Sequence, residues 1–225
     1  MGPNVPQGLL NPHVVTPPQP FGYKTGWFAV RSEDMHAVAK AIELERPEQV
    51  NWQYGVWHAQ EYNDYQIFVT PPVNGWVLAV GLPIVWEADG RAHERMVGLS
   101  KQFGEAQLFV SVRTSSSYLW ARAVSGKLLR LFYEGDGDRR VTGENTEAER
   151  ELGFSFFDAT SPESRQPGYW ERKDLTFPDE DCVLNLAARW SVDPSKLDKM
   201  GLAASLGLLG NPSATYPPKP TPIHR

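Results

Sequence analysis

His58 and Glu61 are the first pair of residues in this chain whose types and spacing could hold a metal ion. They stand three residues apart on a predicted helix over residues 51–62, and facing helices build carboxylate metal sites from Glu/His pairs at this spacing. A complete site needs several further ligands, and no second such pair follows; His36 and His93 are isolated. We therefore expect surface or core histidines and no metal site.

Asp136 and Asp138 alternate with glycines in a way that resembles the start of a calcium-binding loop. Such a loop continues with a third oxygen ligand, a central glycine and a distal glutamate. Here Arg139 and Arg140 occupy positions where ligands should follow. A solvated hairpin turn accounts for the segment better.

Two candidate sites for a nucleophile lack the neighbours that would activate it. The hydroxyls of Ser115–Ser117 have no glycine-flanked elbow and no evident base beside them,. Cys182, the single cysteine, lies on a predicted amphipathic helix without a basic neighbour, and a reactive thiol needs a lowered pKa. No phosphate-binding or dinucleotide-binding glycine motif is present,. The sequence thus predicts no catalytic residue and no cofactor.

The aromatic residues outside the predicted core are the strongest remaining indication of function. Trp57 lies off the apolar stripe of its helix, and Trp86, Tyr169 and Trp170 lie in predicted loops among polar residues. Such tryptophans are typical anchors of protein interfaces, although they also cover the edges of a core. We predict Trp57, Trp86, Tyr169 and Trp170 as partner-binding residues.

Composition excludes several classes of protein. The net charge of −5, without a basic stripe, argues against a nucleic-acid partner,. One cysteine permits no internal disulfide, which fits a reducing compartment,. No secretory signal and no apolar run of about 18 residues is evident,. We expect a cytoplasmic protein that is not embedded in a membrane.

Proline density and periodicity define the expected organisation. Residues 1–24 and 210–225 are predicted as proline-rich tails, flexible or draped on the surface, and residues 25–209 as a single domain,. Strands over 26–31, 65–70, 76–80, 106–113, 118–124 and 127–133 alternate with helices,. The expected fold is α+β, with antiparallel sheets and helices packed on one face.

Two predicted hairpins have similar sequences. Tyr65–Phe68 leads through Asn74-Gly75 into Val77-Leu78, and Tyr118–Ala121 leads through Ser125-Gly126 into Leu128-Leu129. A degenerate two-fold repeat of a strand–helix–hairpin unit and a coincidence both account for so few matches.

Five segments within residues 26–200 together resemble a set of uncharacterised bacterial proteins. They are Gly26–Val30, Asn51-Trp52, Ile67–Trp76, Phe103–Gln107 and Trp190–Pro194. Some small bacterial proteins of this kind are immunity partners of secreted toxins. The resemblance implies a bacterial, cytosolic protein and supplies no catalytic residues.

The leading functional expectation is an immunity-type protein that binds a polymorphic or type VI-delivered toxin and covers its active site. Buried aromatic anchors ringed by polar groups would supply the binding energy. The alternatives are a hydrolase or transferase, with His58, Glu61, Asp136 and Asp138 as the first residues to mutate, and a structural or scaffold subunit that self-associates.

Overall fold

The computed structural model describes residues 7–88 and 91–218. These residues form seven α-helices and nine β-strands. In chain order they are α1 (Gln7–Leu10), β1 (Thr25–Arg31), α2 (Met35–Ala41), β2 (Leu44–Asn51), α3 (Trp52–Gln60), β3 (Ile67–Val69), β4 (Trp76–Val80), α4 (Leu82–Trp86), α5 (Ala92–Phe103), β5 (Glu105–Val112), β6 (Ser117–Val124), β7 (Lys127–Gly135), β8 (Asp138–Thr142), α6 (Glu147–Glu151), α7 (Glu180–Trp190) and β9 (Leu206–Pro212).

One antiparallel sheet contains all nine strands of the described chain, in the order β2-β9-β3-β4-β1-β5-β6-β7-β8. Strands β5 to β8 form a meander in which each strand pairs with the next. Strand β9 comes from the C-terminal part of the chain and inserts between β2 and β3. The sheet therefore joins the two ends of the sequence.

The central strand β1 is buried on both faces because its residues alternate between two apolar clusters. Phe28 and Val30 belong to one cluster, whereas Trp27 and Ala29 belong to the other. Successive side chains of a strand point to opposite sides of the sheet. A strand that is apolar at every position therefore indicates a sheet covered on both sides.

Helices α2, α4 and α5 cover the first face. Met96 and Leu99 of α5 and Val38 of α2 pack against the strands there. Asp34 caps α2 by accepting hydrogen bonds from the backbone N–H groups of His36 and Ala37,. Gly104 follows α5 in the left-handed region, at φ 87°, and ends that helix,.

Helices α3, α6 and α7 cover the second face. Trp52 and Val56 of α3, together with Leu186 of α7, belong to its core. Aromatic rings fill the space between the strands and these helices, as in the stacked pair of Trp120 and Phe132, whose ring centroids are 4.2 Å apart. This face contains more aromatic side chains than the first.

The predicted α+β class and antiparallel sheet are confirmed, but the placement of the helices on one face was wrong. Short polar helices with single apolar stripes gave no indication of which side of the sheet they cover. The chain crosses the sheet edge between α2 and α3, because β2 lies between them at the edge. Helices on both faces follow from that crossing.

Both predicted hairpins exist, but the two halves of the chain do not share a topology. The first half alternates strands and helices up to the β3–β4 hairpin. In the second half α5 precedes four consecutive strands, with a short 3-10 helix (Arg113–Ser115) between β5 and β6. Helix α3 packs on the second face, whereas α5 packs on the first. The strand–helix–hairpin unit is therefore not repeated.

The folded part extends beyond residues 25–209 on both sides. Phe21 is buried and its N–H donates to the carbonyl of Pro194 at 3.1 Å. Strand β9 continues to Pro212, and Tyr216 is buried against the first face. The described portions of both proline-rich segments thus contribute to the core, and residues 1–6 and 219–225 of the predicted tails lie outside the described residues.

Within residues 7–88 and 91–218, none of the helices combines the length and the apolar character needed to cross a lipid bilayer.

Candidate functional site

Three connections of the sheet meet at one of its ends. Strand β4 ends at Val80 and continues into α4, β5 ends at Val112, and β7 ends at Gly135. These ends lie in one row across the sheet, because Trp27 pairs with Val80, Ser111 with Tyr118, and Tyr118 with Glu134. Loop residues that are distant in sequence therefore converge at this end.

A cavity of about 350 Å³ opens here on the first face, between α4 and strands β5 and β7. Its walls are apolar, from Val85 and Ala88 on the α4 side and from Val110 and Val112 of β5. Two aromatic rings and three polar side chains complete the lining. We call this space the end cavity, and its aromatic and polar residues are Trp86, Tyr133, Ser115, Ser117 and Asp136.

The two serines are held in place by the turn that joins β5 to β6. Ser116 adopts a left-handed backbone conformation, at φ 49°, which brings Ser115 and Ser117 to the same side. The Ser115 hydroxyl donates to the Ser117 hydroxyl oxygen at 2.9 Å, with the carbonyl of Val112, at 3.4 Å, as the alternative acceptor. Both hydroxyls can accept further hydrogen bonds.

Gly135 allows the neighbouring strand to approach these hydroxyls. A Cβ atom at this position would lie 2.7 Å from the Ser117 hydroxyl oxygen and 2.7 Å from the Tyr133 hydroxyl oxygen. A larger residue would therefore push the serine turn and Tyr133 apart. The close packing of the cavity wall depends on glycine at this position.

Asp136 lies at the exposed tip of the β7–β8 turn, with φ 51°. Its carboxylate lines the end cavity and also a shallower neighbouring cavity of about 360 Å³, shared with Asp138 and Arg140. Arg140 pairs with Asp138 at 3.2 Å and places its guanidinium 4.2 Å from the centre of the Tyr133 ring. The charge of Arg140 is thus balanced by the carboxylate beside it.

Trp86 forms the wall between the end cavity and a second cavity of about 350 Å³. Its indole stacks on Tyr65, with ring centroids 5.2 Å apart, and meets the edge of Tyr62 at 5.4 Å. Burial raises the pKa of Tyr65, and the charge of Glu87 adds to the effect. The indole is therefore held by two tyrosines while part of it stays accessible.

The C-terminal segment closes the second cavity. Arg95 binds both carboxylate oxygens of the buried Glu87, at 3.2 and 3.0 Å, and lies 3.8 Å from the centre of the Tyr216 ring. Hydrogen bonds from Thr215 and Ser213 lower the pKa of Glu43. These contacts bind the segment after β9 to helix α5.

A second group of aromatic side chains lies on the loop between α6 and α7, and we call it the aromatic loop surface. Trp170 stacks on Phe157 at 5.2 Å, and Phe177 lies 5.1 Å from Phe157. Trp170 is 49% exposed and Phe177 is 60% exposed. Tyr169 is buried beneath them and contacts Trp170 edge-on at 5.1 Å.

The four predicted partner-binding residues therefore lie in different surroundings. Tyr169 and Trp170 are adjacent on the aromatic loop surface, within a short 3-10 helix. Trp86 ends helix α4 and belongs to the end cavity, so its predicted loop location was wrong. Trp57 is 55% exposed on α3, a helix of the second face.

The residues considered for catalysis are also distributed. His58 hydrogen-bonds through its Nδ1 to Asp64, and Glu61 caps the end of α3. Asp136 and Asp138 line a cavity with Arg140 at the end of the sheet. In the part of the chain that the structure describes, no group of three or more His, Cys, Asp or Glu side chains is arranged to hold a metal ion.

Sequence reasoning missed the contribution of Tyr133 and Tyr216 to these cavities. Tyr133 follows the alternation of a half-buried strand, which predicts its face but not its neighbours. The prolines around Tyr216 predict a tail at its position. No local pattern indicates that a proline-rich segment will pack beside α5.

Comparison with protein-family models, with curated proteins and with solved structures found no match to this chain. The resemblance to bacterial toxin-immunity proteins therefore stays a prediction.

Proposed function

We propose that this chain is an immunity-type protein of the bacterial cytoplasm, which binds a polymorphic or type VI-delivered toxin and covers its active site. The observation that carries the proposal is the aromatic loop surface, where Trp170 and Phe177 present stacked rings to solvent. Tryptophan is, with tyrosine and arginine, among the residues most enriched at the energetic centres of protein interfaces.

The loop that presents these rings is already ordered without a partner. Phe157 and Thr176 are joined by a backbone hydrogen bond of 2.8 Å, and Thr176 donates to the carbonyl of Ser155 at 2.9 Å. The indole N–H of Trp170 donates to the carbonyl of Ser164 at 3.0 Å. Because the rings are held in one arrangement, binding would cost little ordering entropy.

Charged groups surround the rings as the rim of an interface would. Arg172 and Asp174 pair at 2.6 Å on one side, and Glu163 and Glu171 are exposed nearby in sequence. Such groups contribute orientation and association rate more than affinity. A central aromatic contact with a charged rim is the anatomy expected of a specific protein-binding surface.

The test is co-expression with the product of the adjacent gene, followed by gel filtration and a binding measurement. We expect a stable complex, and Trp170→Ala should weaken it at least about 30-fold, since loss of an aromatic anchor costs about 2 kcal/mol or more. The matched control is Tyr23→Ala, because Tyr23 is also 49% exposed but lies outside the loop. Its affinity should stay within about twofold of the wild type.

Several outcomes would contradict the proposal. The proposal would be wrong if the product of the adjacent gene is not toxic, or if no complex is found on gel filtration. Equal losses of affinity in Trp170→Ala and Tyr23→Ala, with unchanged circular dichroism spectra, would show that the aromatic loop surface is not the contact surface. If Trp57→Ala alone weakens binding, the interface lies on helix α3 instead.

One observation favours the alternative that the chain is a hydrolase or transferase. Asp136 and Asp138 line one cavity together with Tyr133 and Arg140. The stoichiometry of toxin neutralisation separates the two functions, because a binding protein needs one copy for each toxin molecule whereas an enzyme acts at far lower amounts. Protection at substoichiometric amounts that is lost in Asp136→Asn would favour the enzyme.

A further inference from the structure

The end cavity combines a carboxylate, two hydroxyls and an indole at the mouth of an apolar space. Asp136 stands at the rim, Ser115 and Ser117 lie beside it, and Trp86 forms the opposite wall. The volume of about 350 Å³ is at the lower end of the range for small-molecule pockets,. This arrangement suits a slender group with an apolar stem and a polar head.

The guanidinium of Arg140 lies against two residues of the lining, Tyr133 and Ala88, but is not itself part of the lining. Among the described lining residues, the one charged side chain is that of Asp136. Its carboxylate takes part in no hydrogen bond or ion pair with the described residues, whereas the neighbouring Asp138 is paired with Arg140. An exposed carboxylate beside apolar walls creates a local negative potential. The cavity should therefore prefer a cation to an anion or a neutral group.

The other lining groups match the hydrogen-bonding and stacking preferences of such a cation. The hydroxyl oxygens of Ser115 and Ser117 accept hydrogen bonds from N–H donors. The indole of Trp86 is the aromatic ring that attracts cations most strongly. Val110 and Val112 provide apolar surface for a hydrocarbon stem, in the way that long cationic side chains cover apolar surface elsewhere.

We infer that the end cavity receives an arginine or lysine side chain of the partner protein, with its charged head at Asp136 and its stem between Trp86 and β5. The inference rests on the proposed function, because a partner must supply the side chain. It adds a second anchor, chemically different from the aromatic loop surface. A basic partner also suits the net charge of −5,.

The experiment uses n-butylguanidinium as a stand-in for the arginine side chain and needs no partner. The chain is titrated while the indole N–H resonances of its eight tryptophans are followed by NMR, with the Trp86 signal assigned from Trp86→Phe. N-butylurea, which has the same shape without the charge, is the matched ligand. We expect n-butylguanidinium to shift the Trp86 signal in a saturable way. It should bind at least about fivefold more tightly than N-butylurea.

The variant Asp136→Asn removes the charge and retains a residue that accepts the left-handed backbone of the turn,. We expect it to bind n-butylguanidinium no more tightly than n-butylurea. The control is Asp198→Asn, which neutralises an exposed carboxylate in a different part of the chain. It should retain the preference of the wild type for the cation.

Three results would overturn the inference: equal binding of the cation and the urea by the wild type, an unchanged preference in Asp136→Asn, or no saturable shift at Trp86. These results leave the aromatic loop surface untouched. Conversely, failure to find a toxin complex would refute the proposed function without altering the ligand titration. The two failures are therefore distinguishable.

Discussion

Arg130 and Glu149 form a buried ion pair, in which the Arg130 side chain is 3% exposed and the Glu149 side chain is 0% exposed. Arg130 donates from Nη2 to Glu149 Oε1 at 2.8 Å, and Trp120 donates its indole N–H to the same oxygen at 2.9 Å. The second oxygen accepts the backbone N–H of Thr146 at 2.7 Å, which completes the capping box of α6,. One carboxylate thus joins β6, β7 and α6.

Removing this charge should destabilise the fold strongly. In Glu149→Gln the guanidinium of Arg130 would remain buried without a counter-charge, and breaking a buried pair in this way costs about 3 kcal/mol or more. We expect the urea midpoint of unfolding to fall accordingly, with an unchanged dependence of the free energy on urea concentration.

Glu147→Gln is the matched control, since Glu147 lies on the same helix but is exposed. Its free energy of unfolding should stay within about 0.5 kcal/mol of the wild type. Similar urea midpoints for the two variants would contradict the buried pair.

Gly55 should resist replacement although it lies within helix α3. Alanine is favoured over glycine in a helix interior by about 1 kcal/mol. However, a Cβ atom at Gly55 would lie 2.1 Å from Cδ2 of the fully buried Phe68. Overpacking against this buried ring costs more than the helix gains, so Gly55→Ala should destabilise the protein by about 2 kcal/mol.

Gly98→Ala, on helix α5, should instead stabilise the protein. Nothing lies within 4 Å of the position that its Cβ would take, and we expect stabilisation by about 1 kcal/mol. Thermal unfolding of both variants measures the difference in sign. Stabilisation by both substitutions would mean that α3 does not approach β3 this closely.

The strands of the sheet differ in how far the sequence predicts them. Strands β3, β4, β6 and β7 are predictable because their apolar runs flank the turns Asn74-Gly75 and Ser125-Gly126,. Strand β2 was missed because Pro47 and charged residues fill its exposed middle, and only its pairing with β9 makes it a strand. Long-range pairing of this kind has no local sequence signal.

The end cavity was unpredictable for the same reason. The sequence predicts Trp86 as an interface residue and Asp136 as a possible catalytic group, but it gives no indication that the two share a cavity. Fifty residues separate them, and their proximity follows from the order of β1, β5, β6 and β7 in the sheet. By contrast, Tyr169 and Trp170 are adjacent in sequence, so their common surface was accessible to prediction.

Cys182 should react slowly with alkylating reagents in the folded protein. Burial raises the pKa of its thiol to about 12, and the thiolate is the reactive form. Near neutral pH we therefore expect carbamidomethylation by iodoacetamide to be at least about tenfold slower in the folded chain than in urea, as measured by mass spectrometry. Equal rates in the two conditions would show that the thiol is not desolvated.

The stability of the protein should decline at alkaline pH, in part because of Tyr216. Burial raises the pKa of Tyr216 far above its ordinary value of 10.0. Above about pH 10 the unfolded chain therefore loses this proton while the folded chain keeps it, and the free energy of unfolding falls as pH rises. Below that pH the tyrosine is protonated in both states, so its contribution is fully present.

Tyr216→Phe tests this contribution because it removes the titrating group and keeps the ring. The variant should lose about 1 kcal/mol near neutral pH, since the hydroxyl donates to the carbonyl of Ile42 at 3.2 Å,. Above about pH 10 its urea midpoint should fall less steeply than that of the wild type, so the two curves converge. Tyr23→Phe, at an exposed position, should follow the wild type throughout. Parallel curves for Tyr216→Phe and the wild type would show that this tyrosine titrates freely in the fold.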